Sequence, residues 1–136
     1  MPSIIDRAVR TLSALNVAHT VAGDEIVVPR QSADGFDVRL RLVSERSYVV
    51  MFEQWRHDFD RAEDAYDCFE YGLSDSCRLK LVYRGDRAES WQVEKREFGM
   101  WAPGHAVTRR SFAFWKPRRV EHRQNRVFVR GPAKAP

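Results

Sequence analysis

Residues 47–85, SYVVMFEQWRHDFDRAEDAYDCFEYGLSDSCRLKLVYRG, decide the fold. They read as an apolar strand over 48–54, an acidic amphipathic helix over 59–71 and a second strand over 78–84. In the first strand Tyr48, Val50 and Phe52 alternate with Val49 and Met51, so both faces are apolar, as in a central strand covered on two sides or partly by a partner chain. In the helix Phe59, Ala62, Tyr66, Phe69 and Leu73 recur at steps of three and four, which gives one stripe for packing on a sheet. Asp58 or Asp60 is expected to cap this helix, Asp60 forming a capping box with Glu63. Gly72 stands where a left-handed residue would end it.

Working outward, Ser3 and Asp6 form an N-terminal capping pair for a first helix, whose apolar face includes Ile5, Val9 and Leu12 and which closes at Asn16. Gly23-Asp24 between two β-prone runs predicts a hairpin with positive φ at its first corner. Residues 30–35 have loop composition, and residues 36–43 alternate cleanly, Phe36, Val38, Leu40 and Leu42 against Asp37, Arg39 and Arg41. Beyond Gly85 a return strand carries Trp91 and Val93. Residues 98–104 (FGMWAPG) read as a loop, a packed plug in preference to a lid. Residues 106–115 read as a strand, and 120–123 with 126–130 as a final hairpin at a sheet edge.

These elements imply a single α+β domain over residues 1–130, a largely antiparallel sheet with two helices on one face, and a poorly ordered tail over 131–136. Both halves run helix, hairpin, two strands, which admits a pseudo-twofold αββββ repeat sharing one sheet.

Composition narrows the function classes. The 136 residues hold 43% apolar and 31% charged side chains, ordinary for one folded domain. No apolar run reaches the roughly 18 residues of a membrane span. Asp6 and Arg7 interrupt any signal-peptide pattern, and two cysteines make no disulfide framework, so a cytoplasmic protein with buried thiols is expected. No glycine spacing suits a phosphate loop, and no His or Cys pair has zinc spacing, so neither cofactor nor metal is expected.

Charge is distributed unevenly. Residues 53–76 carry two basic against eight acidic side chains, whereas residues 105–136 carry nine against one. In the basic end Arg109, Arg110, Lys116, Arg118, Arg119, Arg123 and Arg126 interleave with aromatics such as Trp115. This composition suits an acidic protein surface or a second copy of the chain, since the two blocks are nearly complementary. Nucleic acid is the alternative, although no recognition motif is present. A solvated edge face is the bland reading. Where the central strand runs into the helix, His57 and Glu53 lie close in sequence, and His105 is placed to join them across the fold. That gives a small-enzyme or ligand-pocket alternative, set against a plain reading in which these are solvated residues. The leading expectation is a non-enzymatic binding module, homodimeric or partnered, that works through its basic arm.

Overall fold

The computed structural model describes residues 3–109 and 115–128. In chain order the elements are α1 (Ile4–Ala14), β1 (Thr20–Ala22), β2 (Glu25–Val28), β3 (Val38–Ser44), β4 (Ser47–Phe52), β5 (Trp55–Phe59), α2 (Ala62–Leu73), β6 (Cys77–Arg84), β7 (Arg87–Glu97), β8 (Met100–Thr108) and β9 (Arg118–Arg123). The fold class is α+β with antiparallel sheets, as the periodicities require. The strands divide between two sheets, in the orders β1-β2-β3-β4-β5 and β8-β7-β6-β9. The helix-then-strands order does recur, but the first sheet is a plain meander, whereas β9 returns to pair with β6.

Ser3 caps α1 through a reciprocal pair with Asp6, and Asn16 takes a φ of 58° just past the helix. The β1–β2 turn has Gly23 at φ 60°, the conformation that its lack of a Cβ tolerates. In the first sheet Ile26, Val28, Val38, Leu40, Val50 and Phe52 share one face by register and are all fully or almost fully buried. Both helices lie against this sheet, α1 on β2 and β3, α2 on β3, β4 and β5. Burying such side chains stabilises by roughly 2 kcal/mol each, so this face and the stripe of Ala65, Tyr66, Phe69 and Leu73 on α2 form the core. The two helices meet where Arg7 pairs with Glu63 at 2.9 Å and lies 4.0 Å over the Tyr66 ring. The acidic helix thus takes a counter-charge from α1.

Four boundaries differ from the sequence reading. The central strand ends at Phe52, and after a tight turn at Glu53-Gln54 the chain returns as β5, with Trp55, His57 and Phe59 across from Phe52, Val50 and Tyr48. Asp58 therefore lies in a strand, bonded to Arg56 at 3.1 Å. Helix α2 starts at Ala62 with Arg61 as its N-cap and no side-chain cap bond, so neither Asp58 nor Asp60 caps it. Gly72 is inside α2 without a positive φ, and an added Cβ there would meet the Phe52 ring at 2.2 Å. It is needed for close approach, and no left-handed ending is involved.

Residues 98–104 are not a loop. Phe98 and Gly99, at φ 51° and 77°, make the turn between the long strands β7 and β8. Phe98 is 88% and Met100 73% exposed, so they do not plug the sheet. The final hairpin is replaced by β9 pairing with β6, while Phe128 bridges to Ser74 in parallel. The expected tail over 131–136, and Arg130, lie outside the described residues.

Cys68 and Cys77 are both thiols. Burial pushes the Cys68 thiol up to about 12. The native thiol therefore stays protonated at pH values where an unfolded one, near 9, ionises. The native state then holds the extra proton, and stability falls as pH rises from about 9 towards about 12. Cys68→Ala should flatten that decline in urea midpoints across the range, and Cys68 in the native protein should resist iodoacetamide at pH 8 until urea unfolds the chain.

Candidate interaction surface

Strand β9 forms one edge of the four-stranded sheet. Its register against β6 runs without interruption from Leu79 opposite Arg123 to Arg84 opposite Arg118. Alternation places Arg119, Glu121 and Arg123 on the side of Tyr83 and Leu81, and Arg118, Val120 and His122 on the other.

On the first side the charges are largely satisfied. Glu121 accepts from Arg123 at 3.2 Å and lies 3.5 Å from Arg119. Arg123 also donates to the Tyr83 hydroxyl at 3.3 Å, and Arg119 lies 4.6 Å over the Tyr83 ring. Burial works against the Arg123 charge, but the Glu121 hydrogen bond and the fields of Tyr83, Glu121 and Glu53 outweigh it and raise its pKa above the usual value. Arg119 and Arg123 thus help hold β9 onto the sheet.

The other side is open. Arg118 and Lys116 are exposed, Trp115 is 70% exposed and Val120 38%. Lys116 crosses over Gly85 at the β6–β7 turn, whose N–H donates to the Pro117 carbonyl at 3.0 Å. Arg126 is exposed beside an open cleft of about 440 Å3 that Leu15, Val17, Gln31 and Val127 help to line. Arg109 lies near the other edge strand, its guanidinium 5.6 Å from the Trp91 ring centre. The structure thus brings Lys116, Arg118, Arg119 and Arg123 into one strand and its approach and leaves Arg109 apart. Arg110 lies outside the described residues.

The same face of the sheet holds basic groups that the sequence reading did not single out. Arg78 bonds the buried Glu94 at 2.8 Å and lies 4.5 Å from the Trp101 ring centre, with Arg96 5.0 Å from it. His122 is 3.5 Å from Glu94. Burial, then Arg78 and Lys80, push the His122 pKa down against the opposing pull of Glu94. The imidazole is therefore neutral at neutral pH and the contact is no ion pair. The alternation of Arg78 and Lys80 with Leu79 and Leu81 was the available signal.

The proposed catalytic trio is only partly assembled. His57 on β5 and His105 on β8 come together, ring centres 5.5 Å apart, and the Trp55 indole N–H donates to the His105 carbonyl at 3.0 Å. Both imidazoles are exposed. Glu53 turns away at the β4–β5 corner, where it accepts from the Asp37 N–H at 3.1 Å and from Arg30 at 3.3 Å. Its role there is to hold the 30–37 segment, and it does not face either imidazole as a proton acceptor.

Among the described residues no group of three or more metal-ligating side chains converges, and no helix is long and apolar enough to cross a membrane. Comparison with family models, with curated proteins and with solved structures finds no match for this chain.

Proposed function

We propose that this chain is a cytoplasmic, non-enzymatic binding module whose basic C-terminal strand engages an acidic protein surface, on a partner or on a second copy. One observation carries this reading: Lys116, Arg118 and Arg126 stand exposed along and beside an edge strand. The one carboxylate on that strand, Glu121, is occupied by Arg119 and Arg123. One buried and one half-buried thiol suit a reducing compartment.

The test removes charge where it is exposed. Lys116→Ala, Arg118→Ala and Arg126→Ala together should weaken retention on immobilised polyglutamate by about tenfold at 50 mM salt, on roughly 0.5 kcal/mol per exposed charge. The loss should shrink at 300 mM salt, where screening already weakens the parent. Equal retention of parent and variant at both salt concentrations would end the reading. A small-molecule reading has its own support in the cleft beside Arg126, whose lining mixes Leu15, Val17 and Val127 with Gln31 and Gln124. A thermal-shift screen of metabolites, compared between parent and Arg126→Ala, separates the two.

A further inference from the structure

We infer that the acidic partner binds as an extended segment that adds a strand to the outer edge of β9, an inference that rests on the function proposed above. A strand edge offers alternate N–H and C=O groups to any chain that can lie beside it. Among the described residues the two sheets have four edges, and three are unsuited. β1 is three residues long. β5 abuts β7 and β8, through the Trp55–His105 bond and the His57–His105 ring contact. β8 contains Pro103, which has no N–H to give.

β9 differs from all three. It is six residues long, has no Pro or Gly, and shows no bulge in its register with β6. Among the described residues no strand pairs with its outer edge. At its far end an open cleft of about 330 Å3, lined by Ala33, Asp34, Glu121, His122 and Arg123, leaves room for the end of an incoming segment.

Charge selects the occupant. Arg118 projects on one face of β9, and on the other Arg119 and Arg123 outnumber the one carboxylate they share, Glu121, so an added strand meets net positive charge whichever face its side chains take. Carboxylates at alternate positions would sit directly across from them, and opposite charges across a strand pair are favourable. A second β9 fits less well. Opposed residues of a strand pair share a face, so its registers set either Arg119 against Arg123 and Glu121 against Glu121, like beside like, or Arg119 against Glu121 with one carboxylate per strand for three guanidinium groups. The arginines that repel basic strands from this edge are the same ones that admit an acidic strand.

The probe is a fluorescein-labelled octapeptide of alternating Glu and Val, blocked at both ends. Its control has the same sequence with N-methyl groups on two adjacent central residues, one on each edge. Charge is unchanged, but both edges lose hydrogen-bond donors and are sterically blocked. Fluorescence anisotropy at 50 mM salt should show at least tenfold tighter binding of the unmethylated peptide, and hydrogen exchange should slow in residues 118–123 when it binds. Equal binding of the two peptides overturns strand addition and leaves the acidic-partner reading standing. If neither binds, both readings fall.

Discussion

Gly72→Ala is expected to destabilise the protein by about 3 kcal/mol, the upper part of the range for forcing a methyl into a packed core. The added Cβ would stand 2.2 Å from the Phe52 ring. That ring has nowhere to go, being stacked 4.6 Å from Trp55 and tilted 5.4 Å from Phe36. Ala is the better helix former by about 1 kcal/mol, so the clash must outweigh a gain for any loss to appear. In a domain of this size the net change lowers the melting temperature by roughly 10 °C. Calorimetry on Gly72→Ala, Phe52→Leu and the double variant isolates the cause. Phe52→Leu costs stability by itself but vacates ring volume, so the double variant should lose clearly less than the sum of the singles. A Gly72→Ala protein that melts with the parent would show that the ring does not lie on the helix.

The second large effect centres on Asn125, a polar side chain only 3% exposed. Its Oδ1 accepts from the Phe36 N–H at 3.2 Å, and its Nδ2 donates to the carbonyls of Phe36 and Gly72, both at 3.0 Å. One side chain thus ties the segment after β9 to the entry of β3 and to the last turn of α2. Asn125→Ala leaves three buried backbone groups without that partner. At about 1–3 kcal/mol for each group left unsatisfied, partly relieved by entering water, a loss of about 3 kcal/mol is expected. Asn125→Asp should be no milder at neutral pH. A carboxylate keeps the acceptor for Phe36 N–H but turns an oxygen towards two carbonyls. Urea unfolding gives the size of the loss, and hydrogen exchange gives its place, with the Phe36 amide losing protection first. A variant that keeps both parental stability and Phe36 protection would refute this account.

Part of the site was visible in the sequence and part was not. The alternation of residues 36–43 and the stripe on α2 gave the right faces, because a side chain's direction repeats every two or every 3.6 residues whatever it packs against. The strand β5 is not legible in the sequence because Glu53-Gln54 carries none of the usual turn residues, although Glu53 takes a φ of 55°. Asp58 and Asp60 then resembled helix caps. Pro103 and Gly104 made β8 look like a loop, yet an edge strand tolerates both. The basic end is legible as a block of sequence. Its division into Arg119 and Arg123, bound to Glu121 and Tyr83, and Arg118, open to water, follows from the register with β6.

Local order alone therefore determined an α+β chain with antiparallel strands, an amphipathic acidic helix and a strongly basic end, since each of these is a repeat or a count within a few neighbours. Only the folded chain decided that the strands form two sheets, that Gly72 makes room for a ring, and that Asn125 reaches partners 89 and 53 residues away. Those facts depend on which distant segments share a boundary, and hydrogen bonds and ring contacts act only over a few ångströms in space, however far apart their residues lie along the chain.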